Sequence, residues 1–227
     1  MDQAAPLTPL AAQVLDALPQ TQCTRCGYPD CAAYARAVAD EAAPINRCPP
    51  GGSVGVSRLA KLTGRPELPL DPECGIEGPR MLAVIDEDWC IGCTLCIDAC
   101  PTDAIVGTHK RMHTVIEPYC TGCELCLPAC PVDCIALHNV SGSATGWSAW
   151  SADQALEARH RYEFSSFRRR RNAEENAKRL EEKARAKLAD LPAHSQHTDP
   201  AVLDKKRAVI EAALERARAK RAAQPRT

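Results

Sequence analysis

The chain has 227 residues, near-balanced charge (28 Lys/Arg against 29 Asp/Glu) and 4% aromatic content, which excludes a single large aromatic-rich core. It has no uninterrupted apolar run of the ~18 residues a bilayer-spanning helix needs, and no basic start leads into an apolar core as in a secretory leader. Its 14 cysteines therefore read as thiols of a reducing, cytoplasmic compartment that hold metal rather than as disulfides.

Residues 1–64 are expected to form a small α-helical domain. Thr8 caps a short amphipathic helix with Pro9 at its first position, and Leu10, Val14 and Leu18 fall on one stripe. Cys23, Cys26 and Cys31 follow around a tight turn containing Gly27 and Pro29. Asp30 is placed to cap a second helix running from Cys31 to a stop at Pro44. Such a helix spans about 20 Å at about 1.5 Å per residue, so Cys48 has to return through an irregular segment to meet the other three. Two short spacings and one long one suit tetrahedral zinc as well as an iron–sulfur cluster. Residues 65–79 are Pro-rich and read as a semi-rigid linker. Cys74 within it reads as a free loop cysteine, since no basic group is near it in sequence, with a spare ligand or a redox thiol as the alternatives.

Residues 80–140 carry one device written twice. Cys90, Cys93, Cys96 and Cys100-Pro101 are repeated, 30 residues on, as Cys120, Cys123, Cys126 and Cys130-Pro131. This C-x2-C-x2-C-x3-C-P run wraps a [4Fe–4S] cluster in bacterial-type ferredoxins, its fourth cysteine serving the other cluster. Gly92 aligns with Gly122, Leu95 with Leu125, Ala99 with Ala129, Asp103 with Asp133 and Ile105 with Ile135, so the two halves share one core. The expected ligand sets are swapped: Cys90, Cys93, Cys96 and Cys130 for one cluster, Cys120, Cys123, Cys126 and Cys100 for the other. Gly92 and Gly122 let backbone approach the inorganic sulfur. Cys134 falls opposite Ala104 and reads as a small buried hydrophobe. His109, His113 and His138 read as polar loop and edge residues. Trp89 and Tyr119, each preceding a first cysteine, are placed to shield a cluster from water.

Residues 141–150 read as a flexible linker, with Trp147 and Trp150 packing it against the body. Residues 151–227 read as a basic helical tail with 19 Lys/Arg against 12 Asp/Glu, whereas residues 1–150 have 9 against 17. Ala177, Leu180, Ala184, Leu188 and Leu191 recur at helical steps, ended by Pro192, and Asp199-Pro200 starts a second helix. Alternating charge marks a solvated helix. The run Arg168 to Arg171 suits docking to an acidic partner or anionic lipid. Nucleic acid is not expected, because no aromatic-interleaved surface accompanies the charge.

The segments CTRCGYPDCAAYARAVADEAAPINRCPPGG, PRMLAVIDEDWCIGCTLCIDACP and MHTVIEPYCTGCELCLPACPVDCI together resemble the B subunit of the Rnf/Rsx ion-translocating electron-transport complex, over about residues 8–140. The resemblance implies a [4Fe–4S] cluster on Cys23, Cys26, Cys31 and Cys48, hence three [4Fe–4S] clusters in all. It implies redox partner proteins and Rnf/Rsx-type membrane subunits as partners. The family's usual N-terminal hydrophobic anchor has no counterpart here, so the expectation is a cytoplasmic protein, peripheral on the inner face of the cell membrane when assembled.

The fold class expected is α+β: a small α-helical [4Fe–4S] domain, a two-cluster ferredoxin domain and a helical, charged C-terminal extension. No nucleophile–base pair, phosphate-binding loop or dinucleotide fingerprint is present, and no catalytic residue is assigned. The functional expectation is an iron–sulfur protein relaying single electrons between a reduced donor and an acceptor. The alternatives are a peripheral subunit of a membrane ion-translocating oxidoreductase, and a zinc-stabilised interaction scaffold.

Overall fold

A computed structural model describes residues 6–223. The chain divides into two compact units, Pro6–Ser166 and a C-terminal unit from Phe167 onward.

The first unit opens with three helices, α1 (Pro9–Asp16), α2 (Cys31–Ala39) and α3 (Gly52–Thr63). Thr8 caps α1 by accepting from Ala11 N, and Asp30 caps α2 by accepting from Ala33 N at 2.6 Å. The stripe on α1 is buried as its spacing requires: Val14 and Leu18 join Tyr34, Ala35, Val38, Ile45, Val56 and Leu59 in one core, with Leu10 at its edge. α2 ends five residues short of Pro44. Glu41 turns to φ +57°, and the amides of Ala42 and Ala43 both donate to Ala37 O, which closes the helix before proline is reached. α3 stops at Gly64, whose φ of +70° supplies the left-handed exit.

The ferredoxin region packs β1 (Met81–Ile85) antiparallel to β4 (Ile135–Asn139), with Met81 opposite Asn139 and Ile85 opposite Ile135. A second, two-residue ladder pairs β2 (Ile105–Val106) with β3 (Thr114–Val115), and α4 (Leu95–Ala99) lies between the cysteines of the first half. The sequence repeat is also a backbone repeat. Left-handed residues recur in pairs: Gly92 and Gly122 at φ +68° and +63°, Thr94 and Glu124 at +68° and +66°, Asp103 and Asp133 at +51° and +50°. Conformations that L-residues seldom adopt do not fall at matching positions by chance.

The two segments read as linkers are tied down. Arg65 donates to Ala43 O and Val38 O at 2.8 and 2.7 Å, and Asn46 donates to Pro69 O, so residues 65–79 lie against the helical core instead of spacing it. Glu77 accepts from Ser53 N and from Thr145 Oγ1, both at 2.8 Å. Residues 141–150 are likewise held. Ser141 Oγ accepts from Arg80 N, and Trp147, 6% exposed, donates from Nε1 to Ala17 O at 2.8 Å while Arg58 stacks on its ring. A glycine-serine composition signals flexibility only where no distant residue captures the backbone.

The long helix α5 (Ala152–Ala189) begins within the first unit. Its opening turns strap both cysteine domains. Arg159 pairs with Asp16, Tyr162 OH donates to Asp30 Oδ2 at 3.0 Å, and Ser165 Oγ donates to Asp103 Oδ1 at 3.1 Å. The boundary expected at residue 151 therefore lies at 166/167, and the segment beyond carries 17 Lys/Arg against 9 Asp/Glu. The two domains also meet directly: Thr121 Oγ1 donates to Thr21 O at 3.0 Å, and Arg25 pairs with Glu124 at 2.6 Å.

In the C-terminal unit α5 ends near Pro192 and α6 (Pro200–Ala222) starts with Asp199 accepting from Ala201 N, as the sequence signals indicate. Leu191 is buried at the turn. Glu181 of α5 accepts from Arg185, Arg218 and Arg221, and these guanidiniums hold its carboxyl down at about 2. Arg171 pairs with Glu175 at 3.6 Å and lies over Phe167. Among the described residues no helix is long and apolar enough to cross a membrane.

Candidate metal centres

None of the 14 cysteines is in a disulfide. Among the described residues no three Cys, His, Asp or Glu converge at single-ion distance.

The grouping of thiols is plainest in the second half of the repeat. Cys100, Cys120, Cys123 and Cys126 line one small cavity, together with Ala83, Ala104, Ile105, Thr121 and Gly122. Cys100 thus leaves its own run and joins the three thiols of the other. The Pro101 turn carries it there, and the amide of Ala104 donates to its Sγ at 3.2 Å. The amide of Ala83 donates to Cys120 Sγ at 3.5 Å. Burial, then the neighbouring Cys100 and Cys126, pushes the Cys123 thiol up to about 12; burial and Cys120 do the same to Cys126. Closely spaced, buried thiols resist ionising until a cation compensates them. Four soft thiols with backbone amides aimed at two of the sulfurs fit a thiolate-held cluster.

The first half is built alike but walled differently. Burial, followed by the nearness of Cys93 and then Cys90, raises the Cys96 thiol. Cys130 Sγ lies 3.4 Å from Cys134 Sγ, and Cys134 in turn interacts with Cys90. The Cys134 amide donates to Cys130 Sγ at 3.4 Å, matching the Ala104 amide on Cys100. Cys134 is buried as the repeat alignment requires, yet its sulfur also touches an expected ligand, which that alignment did not signal. His113 departs further from its sequence reading. It is not an edge residue: its side chain is 1% exposed and its Nδ1 is 3.3 Å from Cys96 Sγ. Trp89 departs the opposite way. It is 70% exposed, whereas Tyr119 is half-buried beneath Arg161, whose guanidinium is 3.1 Å from the ring centroid.

In the helical domain Cys23, Cys26, Cys31 and Cys48 come together. Burial, then Cys48, raises Cys31 well above the ordinary thiol range; burial, then Cys23, raises Cys48 as well. Three details of the fold bring Cys48 back. Tyr34 OH donates to Pro44 O at 2.9 Å and accepts from Arg47 N at 3.2 Å, which pins the return segment. Gln22 Oε1 accepts from Cys31 N at 2.9 Å, fixing the loop that carries Cys23. Gly51 sits 3.4 Å, measured from the place its Cβ would take, from Cys48 Sγ. Cys74 is a buried neighbour of this set, not a free loop thiol, and the basic group missing in sequence is Arg47 in space, which hydrogen-bonds to it.

Comparison with known proteins agrees with both regions. Residues 83–137 match the family described as "4Fe-4S dicluster domain", and residues 18–50 match "Putative Fe-S cluster". The chain is similar to the B subunit of the ion-translocating oxidoreductase complex from Azoarcus sp. (strain BH72), 58% identical over 139 residues, covering 61% of this chain and 76% of that one. The corresponding protein of Alkalilimnicola ehrlichii is 54% identical, covering 66% and 81%, and that of Escherichia coli O9:H4 is 51% identical, covering 61% and 73%. No solved structure matches. At more than half identity across roughly three quarters of these relatives, the chain belongs to the family of B subunits of the ion-translocating oxidoreductase complex.

Proposed function

We propose that this protein is an iron–sulfur electron-transfer subunit of an ion-translocating oxidoreductase complex and holds three [4Fe–4S] clusters. Cys23, Cys26, Cys31 and Cys48 hold the first, Cys90, Cys93, Cys96 and Cys130 the second, and Cys120, Cys123, Cys126 and Cys100 the third. The observation that carries the reading is the cavity in which Cys100 meets Cys120, Cys123 and Cys126. When bound, each cluster supplies a site that takes up and gives back one electron.

The residues of this chain do the rest. Their thiolates bind, and the amides of Ala83, Ala104 and Cys134 donate toward the sulfurs and offset negative charge there. Ala83, Ala104 and Ile105 exclude water from the cavity wall. Thr121 and Arg25 hold the helical domain against the ferredoxin domain, and α5 straps the pair, so the three thiol sets keep fixed spacing. The basic segment beyond Ser166 guides the protein to an acidic surface of a membrane partner or anionic lipid, and its removal should slow electron transfer most at low salt.

Anaerobic purification with iron and acid-labile sulfide analysis tests the proposal. About twelve of each per chain are expected from three clusters of four. Eight iron with one zinc would assign Cys23, Cys26, Cys31 and Cys48 to a structural zinc site.

A further inference from the structure

The 30-residue repeat supplies its own control for His113, because the residue aligned with it is Ala83. Each lies beside a sulfur of an expected ligand set. Ala83 offers only its backbone amide to Cys120 Sγ, at 3.5 Å, and a methyl group to the cavity. His113 offers a ring nitrogen to Cys96 Sγ, at 3.3 Å. Space for the ring is made by Gly107, where a Cβ would overlap the imidazole Cδ2. The ring's far nitrogen, Nε2, is buried with no hydrogen-bond partner.

Those contacts decide the direction of the bond. A thiolate bound to metal has no proton to give, so Nδ1 must carry the hydrogen and Cys96 must accept it. The neutral ring in that tautomer leaves a bare lone pair on Nε2, which fits a buried atom that donates to nothing. A hydrogen bond to an anionic acceptor strengthens as the acceptor gains charge. Reduction adds one electron to the site and no proton, and part of that charge falls on the cysteine sulfurs. A donor aimed at Cys96 therefore stabilises the reduced state more than the oxidised one.

We propose that His113 is a positioning residue whose Nδ1–H bond to Cys96 makes the cluster on Cys90, Cys93, Cys96 and Cys130 the more readily reduced of the ferredoxin pair. This rests on the ligand sets proposed above. The two halves then form an ordered pair, the electron resting preferentially on the side of His113.

The test is a stepwise anaerobic titration of the full chain with a low-potential reductant and mediator dyes, followed by electron paramagnetic resonance. In His113→Ala the cluster on the Cys96 side should become harder to reduce, by about tenfold in its equilibrium constant or about 59 mV for one electron, while the other cluster is unmoved. His113→Asn, which keeps an N–H donor, should recover part of the shift. Pulsed resonance on protein labelled with ¹⁵N-histidine adds a readout free of mutation: a weak nitrogen coupling should appear on that cluster alone, which decides the matter if His113→Ala loses iron. Unchanged potentials, a shift confined to the Cys120 side, or absent nitrogen coupling would overturn the proposal. Failure of the ligand sets is a separate result, since Cys93→Ala would then leave the Cys96-side signal in place.

Discussion

The two halves of the ferredoxin domain share a ligand run, three pairs of left-handed residues and the same amide-to-sulfur contact from Ala104 and Cys134, yet they differ at three places close to the thiols. One half has Ala83 where the other has His113, Ala104 where the other has Cys134, and a tyrosine under an arginine where the other has a bare tryptophan. The loops that wrap metal tolerate little change, because glycine and left-handed backbone are needed at fixed places. The walls behind them face no such demand and are free to set each site apart.

The largest effect should come from cutting the strap. Truncation after residue 166 removes only the C-terminal unit and should leave iron content intact. Truncation after residue 146 also removes Trp147 and the contacts of Arg159, Arg161, Tyr162 and Ser165. Loss of a buried tryptophan alone costs about 3–5 kcal/mol, so the shorter chain should melt far lower and lose iron, from the Tyr119 side before the Trp89 side. Calorimetry with iron analysis reads both; equal stability of the two truncations would contradict the strap.

Next in size are Gly92→Ala and Gly122→Ala. Each places a side chain at positive φ, which costs about 1–2 kcal/mol, and drives a Cβ into backbone, that of Arg111 in one half and Met81 in the other. Both variants should lose their own cluster and spare the other. A variant that kept all its iron would show that the halves differ in the ligand loop as well as in the wall.

A smaller difference is expected from the aromatic pair. Removing Arg161 from Tyr119 forfeits a cation–π contact of about 0.5–1 kcal/mol and wets the Cys120 side. Trp89→Ala, at a residue 70% exposed, should move neither melting temperature nor oxygen sensitivity. Reversal of that order would restore the symmetric shielding that the sequence alone suggests.

The pH response of Glu77 is the mildest. Its carboxyl is held below the ordinary 4.5, first by the amide of Ser53 and then by the hydroxyl of Thr145. Because the folded value is depressed, its stabilisation is complete above the ordinary carboxylate range and is lost as pH falls through the folded value. Glu77→Gln should flatten that part of the acid-side stability curve; an unchanged curve would mean that the clasp between residues 53 and 145 contributes nothing.

What could be read from sequence follows the range of the interactions. Thr8, Asp30 and Asp199 cap helices through contacts within three residues, and the cysteine spacing with its offset repeat is local as well. The fold class and the iron–sulfur character therefore stood on the chain itself. His113 was hidden because Cys96 is 17 residues away, and Cys74 because its partner Arg47 comes from another segment. The opening of α5 looked like tail for the same reason: Arg159 and Tyr162 meet Asp16 and Asp30 more than 130 residues back. Periodicity marks a helical face but not what it meets. The sequence signal that could have exposed His113 was its alignment with Ala83, an apolar residue that β1 buries.

The swapped ligand sets are the central claim, and Cys130→Ala tests them most directly. Its electron paramagnetic resonance spectrum after reduction should match that of Cys93→Ala, with the signal from the Cys120, Cys123 and Cys126 side retained. A match to Cys123→Ala instead would show that Cys130 serves its own run, and would contradict the account.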